Sequence, residues 1–393
     1  MRSVVPFDTA SSRLTLTVED EVYSTLHEIH IDFDVEKRDF IAGISVGPSP
    51  GDNRDRHPVT RAQCLSAAKN VCARGAASGV FSGAVLIARG ADVLFEYACG
   101  ETNKRYRVPN DLDTRFNLGS LNKMFTATAV AQLVERGRLK LTDAIDHFID
   151  ESWLPQAVTH GITVHHVLSH TSGLGSFFND TFIDGSRARL RAIDDFKPLV
   201  RSDRPAFTPG AAFRYSNIGM LLAGVVIERV AGIDYFDHIR KNIYGPCGMS
   251  SMDCYDIDAP VGNVAIDGML EPEGSAWREN IFDHVAKGGP AGGGYSTVRD
   301  LHRFAQGLRS GCLIGEEMLT ALWTDHAGAD YGYGFEVVRG AAGTVVGHNG
   351  GFSGISASFQ MHLDSEYVVV TLSNHDRGAR NLARRLNAMV DDL

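Results

Sequence analysis

Residues 117–134 read Asn117-Leu118-Gly119-Ser120-Leu121-Asn122-Lys123-Met124-Phe125-Thr126-Ala127-Thr128-Ala129-Val130-Ala131-Gln132-Leu133-Val134. A glycine-bearing turn gives way at Ser120 to a helical pattern, with Phe125, Val130, Leu133 and Val134 apolar and Gly137 placed to end it. A serine at a helix start meets unpaired backbone N–H groups and the positive end of the helix dipole. Lys123, three residues on, shares the helix face of Ser120. A buried lysine ammonium loses pKa to desolvation and can then accept a proton. Ser120 is therefore a candidate nucleophile and Lys123 a candidate base.

Two further motifs follow in chain order. Tyr215-Ser216-Asn217 supplies a second candidate base. A phenol, with a pKa of about 10 in water, ionises more readily beside a cation such as Lys123. Asn217 is placed to orient Lys123 or a substrate carbonyl. His348-Asn349-Gly350 closes the strand pattern Thr344-Val345-Val346-Gly347-His348, so His348 is expected at a strand edge lining a cleft. Gly350 and Gly351 leave the backbone open to close approach. The N–H groups of Gly351 and Ser120 are candidates for an oxyanion hole.

Each pattern has decoys. Ser66-Ala67-Ala68-Lys69 repeats the Ser-x-x-Lys spacing but lies inside a helical run, where no free backbone donors surround the hydroxyl. Gly43-Ile44-Ser45-Val46-Gly47 imitates a nucleophile elbow, yet Pro48 and Pro50 prevent the helix that must follow it. His326-Ala327-Gly328 falls outside any strand pattern. His27-Glu28-Ile29-His30 places its histidines on opposite faces of a strand, and His165, His166 and His170 lack an accompanying ligand set, so no metal and no cofactor are expected.

Around these motifs the chain alternates strands and helices. Residues 1–57 read as an accessory β-rich extension of two or three strands, from the alternation around Leu14–Val18 and Ile29–Phe33. A linker follows at Gly47-Pro48-Ser49-Pro50-Gly51-Asp52-Asn53. A helix is expected over Thr60–Arg74, then a hairpin joining Ala84–Ala88 to Val93–Tyr97 through Arg89-Gly90-Ala91-Asp92. Strands return at 344–348, 355–359 and 367–372, before a last helix presenting Leu382, Leu386, Met389 and Val390. The expected fold is α+β: an antiparallel sheet from both chain ends flanked by N- and C-terminal helices, with a mostly helical lobe inserted. The main domain is read as 58–393, with an α/β lobe at 58–145 and 286–393 and a helical lobe at 146–285.

Bulk properties narrow the partners. The 393 residues are 44% apolar and 22% charged, ordinary for a globular protein. A net charge of −10 without a basic patch argues against nucleic acid or an anionic membrane. No run of about 18 apolar residues is present. The six cysteines form no C-x-x-C pair and the first residues lack an apolar signal core, so the expected location is cytoplasmic. Oligomeric state is left open.

With these motifs stand Thr163-Val164-His165-His166-Val167-Leu168-Ser169-His170-Thr171-Ser172-Gly173-Leu174, Pro209-Gly210, and Gly292-Gly293-Gly294-Tyr295-Ser296-Thr297 ahead of a helix. From about residue 60 to the end, the chain resembles the serine β-lactamase-like, penicillin-binding-protein-like superfamily. The similar branch holds class C β-lactamases, D-alanyl-D-alanine carboxypeptidases, D-aminopeptidases and family VIII carboxylesterases. The resemblance implies a β-lactamase/transpeptidase-like fold, Ser120 as acylated nucleophile, Lys123 and Tyr215 as general-base pair, and Gly351 in the oxyanion hole. The chain departs from the Lys-Thr-Gly usual in β-lactamases by carrying His348-Asn349-Gly350. That removes a cation suited to a β-lactam carboxylate. The expected activity is hydrolysis of a small ester through an acyl-enzyme on Ser120. Alternatives are a D-aminopeptidase or D-amino-acid amidase, an acyltransferase or weak β-lactamase, and a non-catalytic penicillin-binding-like sensor.

Overall fold

The computed structural model describes residues 3–8, 13–19, 26–33, 41–48, 60–270, 276–391 and 393. The chain divides into two compact units, Met1–Gly79 with Arg384–Leu393, and Val80–Ala383.

The first unit opens with four antiparallel strands in sequence order: β1 (Ser3–Asp8), β2 (Arg13–Glu19), β3 (Leu26–Phe33) and β4 (Ile41–Pro48). Two or three were expected. The central pair β2–β3 carries the clean alternation, whereas β1 contains Pro6 and β4 contains Gly43, Gly47 and Pro48. These are edge strands, where a missing backbone donor is tolerated. Gly47 and Pro48 thus belong to β4, and positions 49–53 of the expected linker lie outside the described residues. Ser45 sits within β4, paired with His30. Helix α1 (Arg61–Ala77) starts at the N-cap Thr60, whose hydroxyl and Gln63 form a reciprocal capping box. Its buried face is Cys64, Ala68, Val71 and Cys72, and Ser66 is exposed on the opposite side.

The second unit is built on a six-stranded antiparallel sheet. The expected hairpin is β5 (Gly83–Arg89) with β6 (Asp92–Cys99), turning at Gly90, whose φ of 55° suits glycine. Helices α2 (Asn122–Glu135), α3 (Asn217–Ala231) and α4 (Val298–Arg309) follow. Then come β7 (Glu336–Gly340), β8 (Gly343–Phe352), β9 (Ile355–His362) and β10 (Tyr367–Ser373), before α5 (Gly378–Asp391), which from Arg384 onward belongs to the first unit. The order across the sheet is β7-β8-β9-β10-β5-β6. Strands from both chain ends therefore meet where β10 pairs with β5, with Thr371 opposite Val85. Both strands are almost wholly buried, which explains their unbroken apolar runs.

α4 packs on β10 and β5. Its buried Val298, Leu301, Phe304, Ala305 and Leu308 recur at helical spacing. Phe125 of α2 meets Phe304 edge-on at 4.6 Å, and α2 also packs along α3. Between α2 and α4 the chain runs mostly through short helices and loops, with α3 the long exception. Among the described residues, no helix is long and apolar enough to cross a membrane.

The end of β8 fixes the turn before α2. A Cβ on Gly350 would stand 2.0 Å from the Leu118 carbonyl oxygen, and one on Gly119 would stand 2.8 Å from the Gly351 nitrogen. Gly119 also has a φ of 50°. Backbone lies directly on backbone here, and no side chain fits. Gly350→Ala must push the strand from the turn, an overpacking cost of roughly 1–3 kcal/mol. A thermal melt should show a midpoint lowered by several degrees, and an unchanged midpoint would mean that the two segments separate freely.

Candidate active site

Ser120 lies in a 3-10 turn, Gly119–Leu121, that leads into α2. The sequence pattern placed it at the first residues of the α-helix itself. The consequence is the same, because early N–H groups of such a turn lack intrahelical acceptors. The Ser120 N–H has no acceptor within the protein among the described residues. Lys123 is fully buried in the first turn of α2. Its Nζ donates to Ser120 Oγ (3.0 Å) and to the Ala291 carbonyl oxygen (2.5 Å). Burial lowers its pKa from 10.5 to about 7.

Tyr215 arrives just ahead of α3. Ser216 caps that helix, its Oγ accepting from the Gly219 N–H at 2.8 Å. The Tyr215 hydroxyl interacts with Ser120, and its ring centre is 4.8 Å from Lys123 Nζ. The phenol does not ionise more readily, as the motif alone suggested. Although the residue is 37% exposed, burial of its hydroxyl pushes the pKa well above 10, and the interaction with Ser120 offsets this only in part. Near neutral pH the exchangeable proton is therefore on Lys123, while Tyr215 keeps its own. Asn217 does not orient Lys123: its amide donates to Ser176 Oγ at 3.0 Å, while the side chain faces the cavity beside Ser120.

His348 lies at the point where β8 outruns β7. The last β7 pairing is Glu336 with Gly347, so beyond it β8 is paired only with β9. His348 is 2% exposed. Its Nδ1 donates to the Asn349 carbonyl oxygen (2.6 Å), so Nε2 accepts from the Tyr331 hydroxyl (3.0 Å). Burial lowers its pKa, and Glu336 opposes this only in part, so the imidazole is neutral. Gly350 and Gly351 bring the strand against Gly119 and so toward the Ser120 turn.

Three residues without a role in the sequence reading complete the cluster. His170 is buried with a φ of 58°, rare for a non-glycine residue. Its Nδ1 accepts from the Ser216 N–H (3.2 Å), which puts the ring proton on Nε2. The ring lies 4.5 Å from that of Tyr215 and 4.7 Å from that of Tyr331. Glu336 accepts from the Asn349 backbone (3.2 Å) and side-chain amide (2.6 Å). His170 stood in plain view in Ser169-His170-Thr171-Ser172-Gly173. Tyr331 and Glu336 carry no local signal. Of the decoys, His326 lies in a loop stacked 4.0 Å over Tyr333.

Two cavities meet at this cluster. One, about 720 Å³ with its open mouth included, is lined by Ser120, Asn217, Gly292, Gly351 and mostly apolar side chains. The other, about 880 Å³ counted the same way, is lined by Tyr215, Glu336, His348 and Gly351.

The buried lysine has a measurable signature in stability. Below pH 7 Lys123 is charged whether the chain is folded or not, and the folded state bears the full cost of burying that charge. Between pH 7 and 10.5 the unfolded chain holds a proton that the folded one has lost, so wild-type stability climbs with pH through that window. Lys123→Met lacks this contribution. The difference between variant and wild-type melting midpoints should favour the variant most below pH 7 and shrink steadily toward pH 10. A difference independent of pH would show that the lysine is not desolvated.

The comparisons with known proteins agree with this geometry. The family model described as Beta-lactamase matches residues 67–391. Penicillin-binding protein 4* of Bacillus subtilis (strain 168) is 28% identical over 317 residues, covering 75% of this chain and 68% of its own. Esterase EstB of Burkholderia gladioli is 28% identical over 276 residues, covering 62% and 69%. Among solved structures, a penicillin-binding protein from Bacillus halodurans superposes with a TM-score of 0.75 at 29% identity, covering 81% of this chain and 98% of that one. The matched span takes in all three motifs and the sheet that holds them, and the chain belongs to the beta-lactamase family.

Proposed function

We propose that the protein is a serine hydrolase that cleaves a small carboxylic ester through an acyl-enzyme on Ser120. The observation that carries this reading is the 3.0 Å contact between Ser120 Oγ and a fully buried Lys123 whose pKa is brought down to about 7. A neutral Lys123 takes the hydroxyl proton as Ser120 Oγ bonds to the ester carbonyl carbon. The N–H groups of Ser120 and Gly351 receive the oxyanion. As the intermediate collapses, Tyr215 gives its proton to the departing alkoxide and regains one from Lys123. Water then attacks the acyl carbon with the same pair taking its proton, and as the bond to Ser120 Oγ breaks that proton passes to Oγ, which frees the carboxylic acid and restores Ser120.

Two features favour an ester over the alternatives. Among the described residues, no carboxylate lines the cavity beside Ser120, so the free α-ammonium of a D-amino-acid amide finds no counter-ion there. His348 is neutral, so it offers a β-lactam carboxylate no fixed charge. The similarity to EstB points the same way.

A p-nitrophenyl ester should give a burst of one p-nitrophenolate per chain wherever deacylation limits turnover. Ser120→Ala should lose at least about a thousandfold in rate. The profile of kcat/KM should rise tenfold per pH unit in acid and level off above an apparent pKa near 7, because the base works when neutral. Lys123→Arg, which cannot shed its proton, should be inactive across that range. An undiminished rate in Ser120→Ala would sink the reading.

A further inference from the structure

We propose that the cleft is divided by chemistry, with an uncharged, apolar acyl group of several carbons in the cavity behind Ser120 and the alcohol on the side of Tyr215. The inference rests on the acyl-enzyme reading and adds to it the orientation and class of the substrate.

Orientation follows from where the acid stands. The proton for the departing oxygen comes from Tyr215, whose side chain lines the cavity shared with His348 and Glu336 and not the cavity behind Ser120. The alcohol must therefore leave on the Tyr215 side. Gly351 borders both cavities, as a group holding the carbonyl oxygen at the junction must. The acyl chain is then directed into the other cavity.

That cavity is apolar by composition and by charge pairing. Its wall includes Phe177, Phe178, Phe196, Leu221, Phe236 and Phe352. The two cations on it are already engaged. Arg191 binds Asp256 and Asp258 at 2.7 Å each. Lys287 lies 3.8 Å from Asp256 and 4.3 Å from the centre of the Phe236 ring. His284 donates from Nδ1 to the Val285 carbonyl oxygen (3.0 Å), and burial lowers its pKa. The wall thus keeps no unspent charge for an anionic acyl group. Phe178, 42% exposed, stacks on Phe352 at 5.1 Å, which sets two rings where a flexible chain can lie against them. Six large apolar side chains offer more wall than an acetyl group can touch.

The test compares p-nitrophenyl acetate, hexanoate and hemisuccinate on the full chain. Each buried methylene adds apolar contact, so kcat/KM for hexanoate should exceed that for acetate by about tenfold or more. The charged hemisuccinate should fall below acetate. Leu221→Trp, which fills the cavity, should bring the hexanoate-to-acetate ratio near one. Because Leu221 is buried and this variant can fail to fold, Phe178→Ala at the exposed ring serves as the second and should lower the ratio several-fold. Calorimetry on Ser120→Ala should show hexanoate binding at least about tenfold tighter than acetate. Ester turnover at Ser120 with no chain-length preference, or a ratio unmoved in a folded Leu221→Trp and in Phe178→Ala, overturns the cavity assignment alone. Selective hexanoate binding without turnover of any ester would support the cavity and overturn the hydrolase reading instead.

Discussion

A lysine ammonium with no water around it is the constraint on which the site rests. Lys123 Nζ has two hydrogen-bonding partners, Ser120 Oγ and the Ala291 carbonyl oxygen, and neither is charged. Without a carboxylate beside it, desolvation acts unopposed and the proton is held loosely. Keeping that arrangement requires the Ala291 carbonyl to be fixed. The backbone does this by bonding Gly289 and Gly292 to each other and Gly293 N–H to the Gly119 carbonyl (3.0 Å). Asn122, the neighbour of Lys123, spans the loop by donating to Gly289 O and accepting from Gly294 N–H, both at 3.1 Å. The turn that presents Ser120 and the loop that holds Lys123 are thus one hydrogen-bonded body. A Cβ on Gly292 would stand 2.9 Å from the Gly119 carbonyl oxygen, so the loop and the turn are in direct contact.

Around this cation the histidines are kept neutral. His170 and His348 both have lowered pKa values, from burial first and from the charge of Lys123 among the smaller influences. Each ring has a defined tautomer. Ser216 N–H fixes that of His170, and the Asn349 carbonyl with the Tyr331 hydroxyl fixes that of His348. A second full charge a few ångströms from Lys123 would drive its pKa lower still, so neutrality of this shell helps to set the value near 7.

The order of the three motifs and the strand-to-helix plan of the main unit could be read from the sequence because both are local patterns. β5, β6 and β10 announce themselves by apolar runs, and α1 by the helical spacing of Cys64, Ala68, Val71 and Cys72. The two or three strands expected in residues 1–57 are four because β1 and β4 are edges, where proline and glycine break the alternation without breaking the sheet. The ionisation of Tyr215 is hidden from the sequence for a different reason. A nearby cation is visible in the motif, but the desolvation that outweighs it depends on what covers the hydroxyl in three dimensions. Asn217 turns to Ser176 through a contact between segments 41 residues apart. Tyr331 and Glu336 act through His348 and Asn349, and only the pairing of β7 with β8 brings Glu336 there.

The replacement of a lysine by His348 has a consequence that reaches beyond one lost cation. A neutral imidazole between Tyr331 and the Asn349 carbonyl is already satisfied at both nitrogens, so it makes no demand on the substrate. Glu336 stays on that side of the cleft, bound to the Asn349 amide groups. The carboxylate and the amine left at the site are then Glu336 and Lys123, the latter with a pKa of about 7. Asp376, Arg377 and Arg380, all exposed, line the wall of the same cavity. On the proposed ester reading, an alcohol departing past Tyr215 meets the neutral His348 ring together with Glu336, Asp376, Arg377 and Arg380 on the same cavity wall. On that reading the charged side chains lie on the alcohol side, while the acyl side offers apolar contact next to the reacting bond.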